Sequence, residues 1–146
     1  MEKIKVKKLS ENAKLPVYAT ELAAAADLCS AESGTVTIPA GKTVLIHTGI
    51  AMEIPAGYAG FIYARSGLAS KRGLAPANKV GVIDADYRGE IMVALHNHSN
   101  CDQTVEAGER IAQIAIAAAP QFDFCEAEEL TDTARAAGGF GSTGKK

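Results

Sequence analysis

Apolar and polar residues alternate with period two over Ile4-Lys5-Val6-Lys7, the repeat of a half-buried strand. Similar short runs, most of them rich in β-branched residues, predict strands at Val36–Ile38, Thr43–Ile54, Gly60–Ala64, Lys79–Ile83, Glu90–His98 and Arg110–Ala117. Turn signals fall between them at Ser33-Gly34, Ala40-Gly41, Ala56-Gly57 and Ala107-Gly108. Strands of this length and spacing predict an all-β sandwich or barrel. One short helix is predicted over Ser66–Arg72. Ile111–Ala119 carries small apolar side chains and reads as a packed central strand. Two segments break the pattern. Glu21–Asp27 is rich in alanine and has helix propensity, and Glu126–Ala137 is polar, a helix or an arm reaching a neighbour.

Length and charge narrow the class. A chain of 146 residues fits one domain, large enough to bury about two-thirds of its unfolded surface. The formal net charge of −2 lacks the basic excess of a nucleic-acid backbone binder. Positive charge near the N-terminus, from Lys3 to Lys8, has no apolar stretch behind it, so no secretory signal is expected. No apolar run approaches the roughly 18 residues of a membrane helix. Cys29, Cys101 and Cys125 are odd in number and widely spaced. They predict buried thiols in a reducing compartment such as the cytoplasm, not a disulfide framework.

Candidate chemistry concentrates at Gly81–Glu90. A strand ends at Ile83; Asp84, Asp86, Tyr87 and Arg88 then fall within a turn bounded by Gly89, and a second strand follows at Ile91–His96. Four functional side chains on a turn held by strands point to a site. Asp84 and Asp86 are two apart and share a face, so periodicity does not choose between them as a base. Arg65-Ser66-Gly67 stands at the start of the predicted helix. By itself it reads as a serine cap beside a surface arginine; with a polyanion it offers a guanidinium fork and free amides. Gly139-x4-Gly144-Lys145 imitates a P-loop but lacks the following Ser or Thr and the helix. Its Gly-rich backbone, Ser142, Thr143 and nearby Arg135 still suit wrapping an oxyanion, and Phe140 is an aromatic unexpected in a loose terminus. His96 and His98 lack a third ligand at diagnostic spacing, and His47 reads as a strand histidine.

Taken together, these segments resemble the trimeric deoxyuridine triphosphatase (dUTPase) family in order and spacing along nearly the whole chain. Pro16–Thr20 with Asp27–Ala31 resembles the first motif, and Pro55–Tyr58 through Arg65–Ala69 the second. Gly81–Gly89 resembles the third, Gly108–Gln113 the fourth, and Arg135–Gly144 the fifth.

The resemblance implies a jelly-roll-like β subunit, a homotrimer with three sites shared between chains, and hydrolysis of dUTP to dUMP and pyrophosphate with Mg2+ on the triphosphate. Residues 1–134 would form the β domain and 135–146 a flexible arm that closes over a site. Carried over by position, Asp84 is the general base and Asp86 a turn residue. Tyr87 packs on the deoxyribose, and the hairpin backbone containing Asn78 and Gly81 reads uracil. Arg65, Ser66, Gly67 and Gln113 contact phosphates, and Asp27 reaches the metal through water. Phe140 covers the uracil, while Arg135, Gly141, Ser142 and Thr143 belong to the closing arm. The pattern departs from the family at Leu22, Ala25 and Ala136, where glycines are usual, and at Ala26, Phe61 and Ala64. A dCTP deaminase relative and a catalytically silent nucleotide-binding jelly roll are the competing expectations. The deaminase's glutamate motif is not visible here, and a silent module would be expected to have lost Asp84 or the arm.

Overall fold

The computed structural model of the chain describes residues 3–139. In chain order the strands are β1 (Lys5–Lys8), β2 (Val17–Tyr18), β3 (Ala26–Cys29), β4 (Val36–Ile38), β5 (Thr43–His47), β6 (Ile50–Glu53) and β7 (Tyr58–Tyr63). After helix α1 (Ser66–Arg72) come β8 (Leu74–Pro76), β9 (Gly81–Ile83), β10 (Met92–Asn97), β11 (Gln103–Val105) and β12 (Arg110–Ala118). The largest sheet runs β2-β3-β12-β7-β9, and every pairing in it is antiparallel. A second sheet runs β5-β10-β8, and β1-β6 and β4-β11 form two-stranded ribbons. Side chains that alternate inward from these layers make one core, including Leu28, Ile46, Leu74, Ile91, Leu95 and Ile111, each at most 1% exposed. The expected all-β architecture with one short helix is present, and β12 is the packed central strand, flanked by β3 and β7. None of the helices among the described residues is long and apolar enough to cross a membrane.

Four expectations need correction. The run Thr43–Ile54 is two strands, because Gly49 adopts φ +66° and sends β6 to a different sheet from β5. A side chain at Gly49 would stand 2.9 Å from Ala13 Cβ, so only glycine turns this corner without strain. Second, the alanine-rich Glu21–Asp27 is not helical: a turn closes from Ala23 N–H to Thr20 O at 3.2 Å, and β3 starts at Ala26. Pairing of β3 with both β12 and β2 outweighs local propensity there.

Third, the strands on either side of the Asp84 turn do not pair with each other. β9 joins β7 at the edge of the large sheet, whereas β10 pairs with β8. The hairpin is therefore β8–β10, extended by Ala77 N–H to Ala94 O at 2.8 Å, and residues 78–91 form its long tip. Fourth, the thiols are not all buried: Cys101 and Cys125 are exposed and Cys29 is half-buried. Cys125 lies on the segment 120–137, which leaves the sheets without helix or strand and is exposed throughout. Of the two forms expected of Glu126–Ala137, the helix is not formed.

Candidate active site

Three strands of the large sheet set one row of side chains. Asp27 on β3 is directly opposite Gln113 on β12, and Gln113 is opposite Tyr63 on β7. Two residues beyond Tyr63, Arg65 occupies the N-cap of α1 with extended backbone, φ −85° and ψ 130°. Ser66 is thus the first helical residue and not the cap, and among the described residues no side chain caps the helix start. Gly73 ends the helix at φ 67°, with its N–H on Ala69 O at 3.1 Å.

Asp27 organises the row. Its Oδ1 accepts Arg65 Nε at 2.8 Å and its Oδ2 accepts Arg110 Nη1 at 3.0 Å. Gln113 Nε2 donates to Ala64 O at 2.9 Å and fixes the approach to α1. These residues open onto a cleft of about 820 Å³ that also takes in Ser66, Gly67, Lys71 and Arg72. Among the described residues its lining holds four cationic side chains and one carboxylate, Asp27, an excess suited to a polyanion. Arg72 is committed elsewhere, to Glu109 Oε1 at 2.6 Å and Gln103 Oε1 at 3.2 Å. Arg65 and Arg110 each keep further donors for a ligand. Among the described residues, a Cβ at Gly67 would meet nothing within 4 Å. Cys29 follows on β3, and burial pushes its thiol up, which favours the protonated form.

Asp84 and Tyr87 line a second cleft of about 370 Å³ with Leu45, Val82, Ile83, Glu90 and Met92. The turn closes from Tyr87 N–H to Asp84 O at 3.2 Å. Arg88 braces it, with Nη1 donating to Ala85 O at 2.7 Å and Tyr87 O at 3.0 Å. Tyr87 Oη donates to Glu90 O at 3.0 Å and lies over Gly89, where a Cβ would stand 2.4 Å from the phenol oxygen. At the other end of the tip, a Cβ on Gly81 would come within 3.3 Å of Asn78 Nδ2. Glycine there lets the Asn78 side chain lie close. Asp86 is exposed and lies outside the cleft that Asp84 lines.

Asp27, Arg65, Ser66, Gly67 and Gln113 are therefore brought together, and Asp84 with Tyr87 forms a separate group. Among the described residues, the two clefts have no lining residue in common. Arg135 lines neither; its Nε donates to Gly138 O at 2.9 Å within the arm. Ala136, where the family pattern has glycine, holds φ 41°, a left-handed conformation that strains a side chain. Phe140, Gly141, Ser142 and Thr143 lie outside the described residues. Sequence reasoning passed over Arg110 and Lys71. A bulge between Arg110 and Ala112 shifts the alternation of β12, so Arg110 shares the cleft with Gln113 three residues on.

The dUTPase family model matches residues 11–144. A deoxyuridine 5'-triphosphate nucleotidohydrolase of Nautilia profundicola is 52% identical over 143 residues, covering 98% of this chain and 99% of that one. The enzyme of the same name from a Hydrogenobaculum species is 49% identical over 144 residues, covering 99% of each. Among solved structures, the dUTPase of Staphylococcus bacteriophage 80alpha with dUPNHPP superposes at a TM-score of 0.91, with 30% identity and 99% of both chains covered. A variant dUTPase of phage phi11, described for its coordination of a structural Mg(II) ion, has a TM-score of 0.80 and 27% identity over 88% of this chain and 98% of its own. With this agreement of sequence and fold along nearly its whole length, the chain belongs to the dUTPase family.

Proposed function

We propose that the protein hydrolyses dUTP to dUMP and pyrophosphate, as a dUTP diphosphatase. The observation that carries this reading is the cationic cleft built on Arg65-Ser66-Gly67, with Asp27 and Gln113 in register across β3 and β12, in a chain of the dUTPase family. Attack of water on a highly charged triphosphate needs positioning and charge neutralisation more than a strong nucleophile. Arg65, Ser66, Gly67 and Gln113 bind and orient the phosphates. Asp84 accepts the proton of the attacking water, which bonds to the α-phosphorus as the bond to the pyrophosphate oxygen breaks. Tyr87 lies against the deoxyribose and crowds a 2′-hydroxyl. Backbone around Asn78 and Gly81 pairs with uracil.

The residues present fit a Mg2+ carried on the triphosphate. Asp27 already accepts both guanidinium groups, and each of its oxygens keeps a lone pair for a water. Among the described residues no three His, Cys, Asp or Glu side chains converge on a metal position. Mg2+ would neutralise charge on the phosphates, with Asp27 holding one of its waters.

Separation of Asp84 from the phosphate cleft supports a site completed between copies, in a homotrimer. Phe122, Phe124 and Leu130 on the arm are 76%, 101% and 89% exposed, as in a segment that docks on another chain. Arg135, Phe140, Gly141, Ser142 and Thr143 then close the site from that arm. Pyrophosphate release from dUTP, dTTP, dCTP and UTP tests the reading. dUTP should be turned over with at least about a hundredfold advantage in kcat/KM, since mismatched polar groups discriminate strongly. Equal turnover of dCTP, or deamination of dCTP without pyrophosphate release, overturns it.

A further inference from the structure

The tip that carries Asp84 and Tyr87 returns to the sheets at Glu90, and the corner between β5 and β6 holds Glu90 in place. Its Oε1 accepts Gly49 N–H at 2.8 Å, and its Oε2 lies 2.9 Å from His47 Nδ1. Its backbone carbonyl accepts the Tyr87 hydroxyl at 3.0 Å. The next residue, Ile91, is gripped by the same corner: its N–H donates to Ile50 O at 2.8 Å and its carbonyl accepts Thr48 Oγ1. His47, Glu90 and Tyr87 thus form one connected chain from an exposed imidazole to the ring assigned to the deoxyribose.

We propose that His47 is a positioning residue, which through Glu90 fixes the returning end of the tip and the Tyr87 ring, and whose positive charge tightens deoxyribose selectivity. This inference rests on the dUTP hydrolase reading of the site. Among the described residues, the charged groups facing His47 are both carboxylates. Glu90 meets its ring, and Glu32, from the loop after β3, accepts its backbone N–H at 3.0 Å. The cross-strand neighbour on β10 is the uncharged Met92, and the 9–12 loop brings Ser10 and Asn12 to the same cleft. The Glu90 hydrogen bond, opposed by modest burial and aided by the charges of Glu90 and Glu32, raises His47 above the ordinary imidazole value. The folded state therefore favours the protonated ring. Its extra hold on Glu90 is complete below the ordinary imidazole pKa and is lost as pH rises through the raised one. A neutral ring can still donate from Nδ1, so the loss is the charge assistance and not the contact.

The test uses full-length wild type, His47→Gln, His47→Ala, Glu90→Gln and the His47→Ala/Glu90→Gln double variant, with kcat and KM for dUTP and UTP from about pH 5.5 to about pH 9. In the wild type the preference for dUTP over UTP should fall as pH rises, with a midpoint above that of a free imidazole. In His47→Gln the preference should be flat with pH. At about pH 6, His47→Ala and Glu90→Gln should each lower it about three- to tenfold, the worth of one charge-assisted hydrogen bond acting through an intermediary. KM should carry more of that change than kcat. The double variant should lose no more than the larger single loss. A flat wild-type profile, an unaltered preference in His47→Ala, or losses that simply add in the double variant overturns the inference. Wild type that releases no pyrophosphate from dUTP overturns the functional reading and this inference together.

Discussion

Replacing Asp27 by asparagine should damage stability and turnover through the same two bonds. The side chain of Asp27 is 14% exposed, and its partners Arg65 and Arg110 are 28% and 54% exposed. Asparagine preserves the shape but offers one oxygen and one amide group to two guanidinium donors. One bond becomes neutral and the other is set donor against donor. A hydrogen bond to a charged group contributes about 1.5–3 kcal/mol, of which a neutral acceptor retains about half. The Arg110 bond is discounted to less than about 1 kcal/mol because that side chain is half in water. The net loss is then about 1–2.5 kcal/mol, or roughly 3–8 °C in melting temperature for a chain of this size. Turnover suffers because Arg65 is no longer aimed along the cleft. Misplacing one phosphate-binding fork should lower kcat/KM for dUTP about 10- to 100-fold. Thermal melts at one fixed chain concentration, paired with pyrophosphate release, measure both effects. Arg110→Ala, which leaves Arg65 paired, should shift the melt by less than about 3 °C. An Asp27→Asn variant that melts within about 1 °C of wild type and keeps its kcat/KM refutes the anchoring role.

Three further outcomes follow from the tip and the corner that holds it. Asp84→Asn should lower kcat about 10²-fold or more at unchanged melting temperature, while Asp86→Asn, outside the tip cleft, should cost far less; the reverse order in steady-state kinetics refutes the base assignment. Tyr87→Ala should relax discrimination between dUTP and UTP more than it slows dUTP turnover, measured as the ratio of the two kcat/KM values. Gly49→Ala should destabilise by about 2–4 kcal/mol, because positive φ and contact with buried Ala13 and Ala31 act together; a melt near wild type would contradict it.

Much of the fold was legible because local signals and tertiary pairing agree. Ser66–Arg72 emerges as the helix α1, with Gly73 supplying the left-handed stop. Val36–Ile38 and Arg110–Ala118 appear as strands close to where their composition puts them. Alternation, however, says that a segment is extended and not which strand it meets. That is why 81–83 and 92–97 looked like partners and belong to different sheets. The long run through His47 gave no hint that Gly49 would break it, since only the backbone angle shows the corner. At the site, Arg65, Asp27 and Gln113 were legible as a group through the family pattern. Arg110 was hidden by a bulge that strict periodicity does not anticipate. Asp84 and Asp86 are equal by alternation and both exposed; the family pattern alone favoured Asp84, which lines the tip cleft while Asp86 does not.

The central claim is a dUTP-hydrolysing site completed between copies of the chain, and mixing two inactive variants tests it most directly. Asp84→Asn removes the base and keeps the phosphate cleft; Arg65→Ala does the converse. Each alone should release pyrophosphate from dUTP at background rate. Co-refolded in equal amounts, random closed oligomers should place an intact Asp84 beside an intact Arg65 at about a quarter of the sites. Pyrophosphate release should therefore return to about a quarter of the wild-type rate per chain. Fully mixed oligomers, verified by two different tags, that stay at the background of the parents would contradict the account.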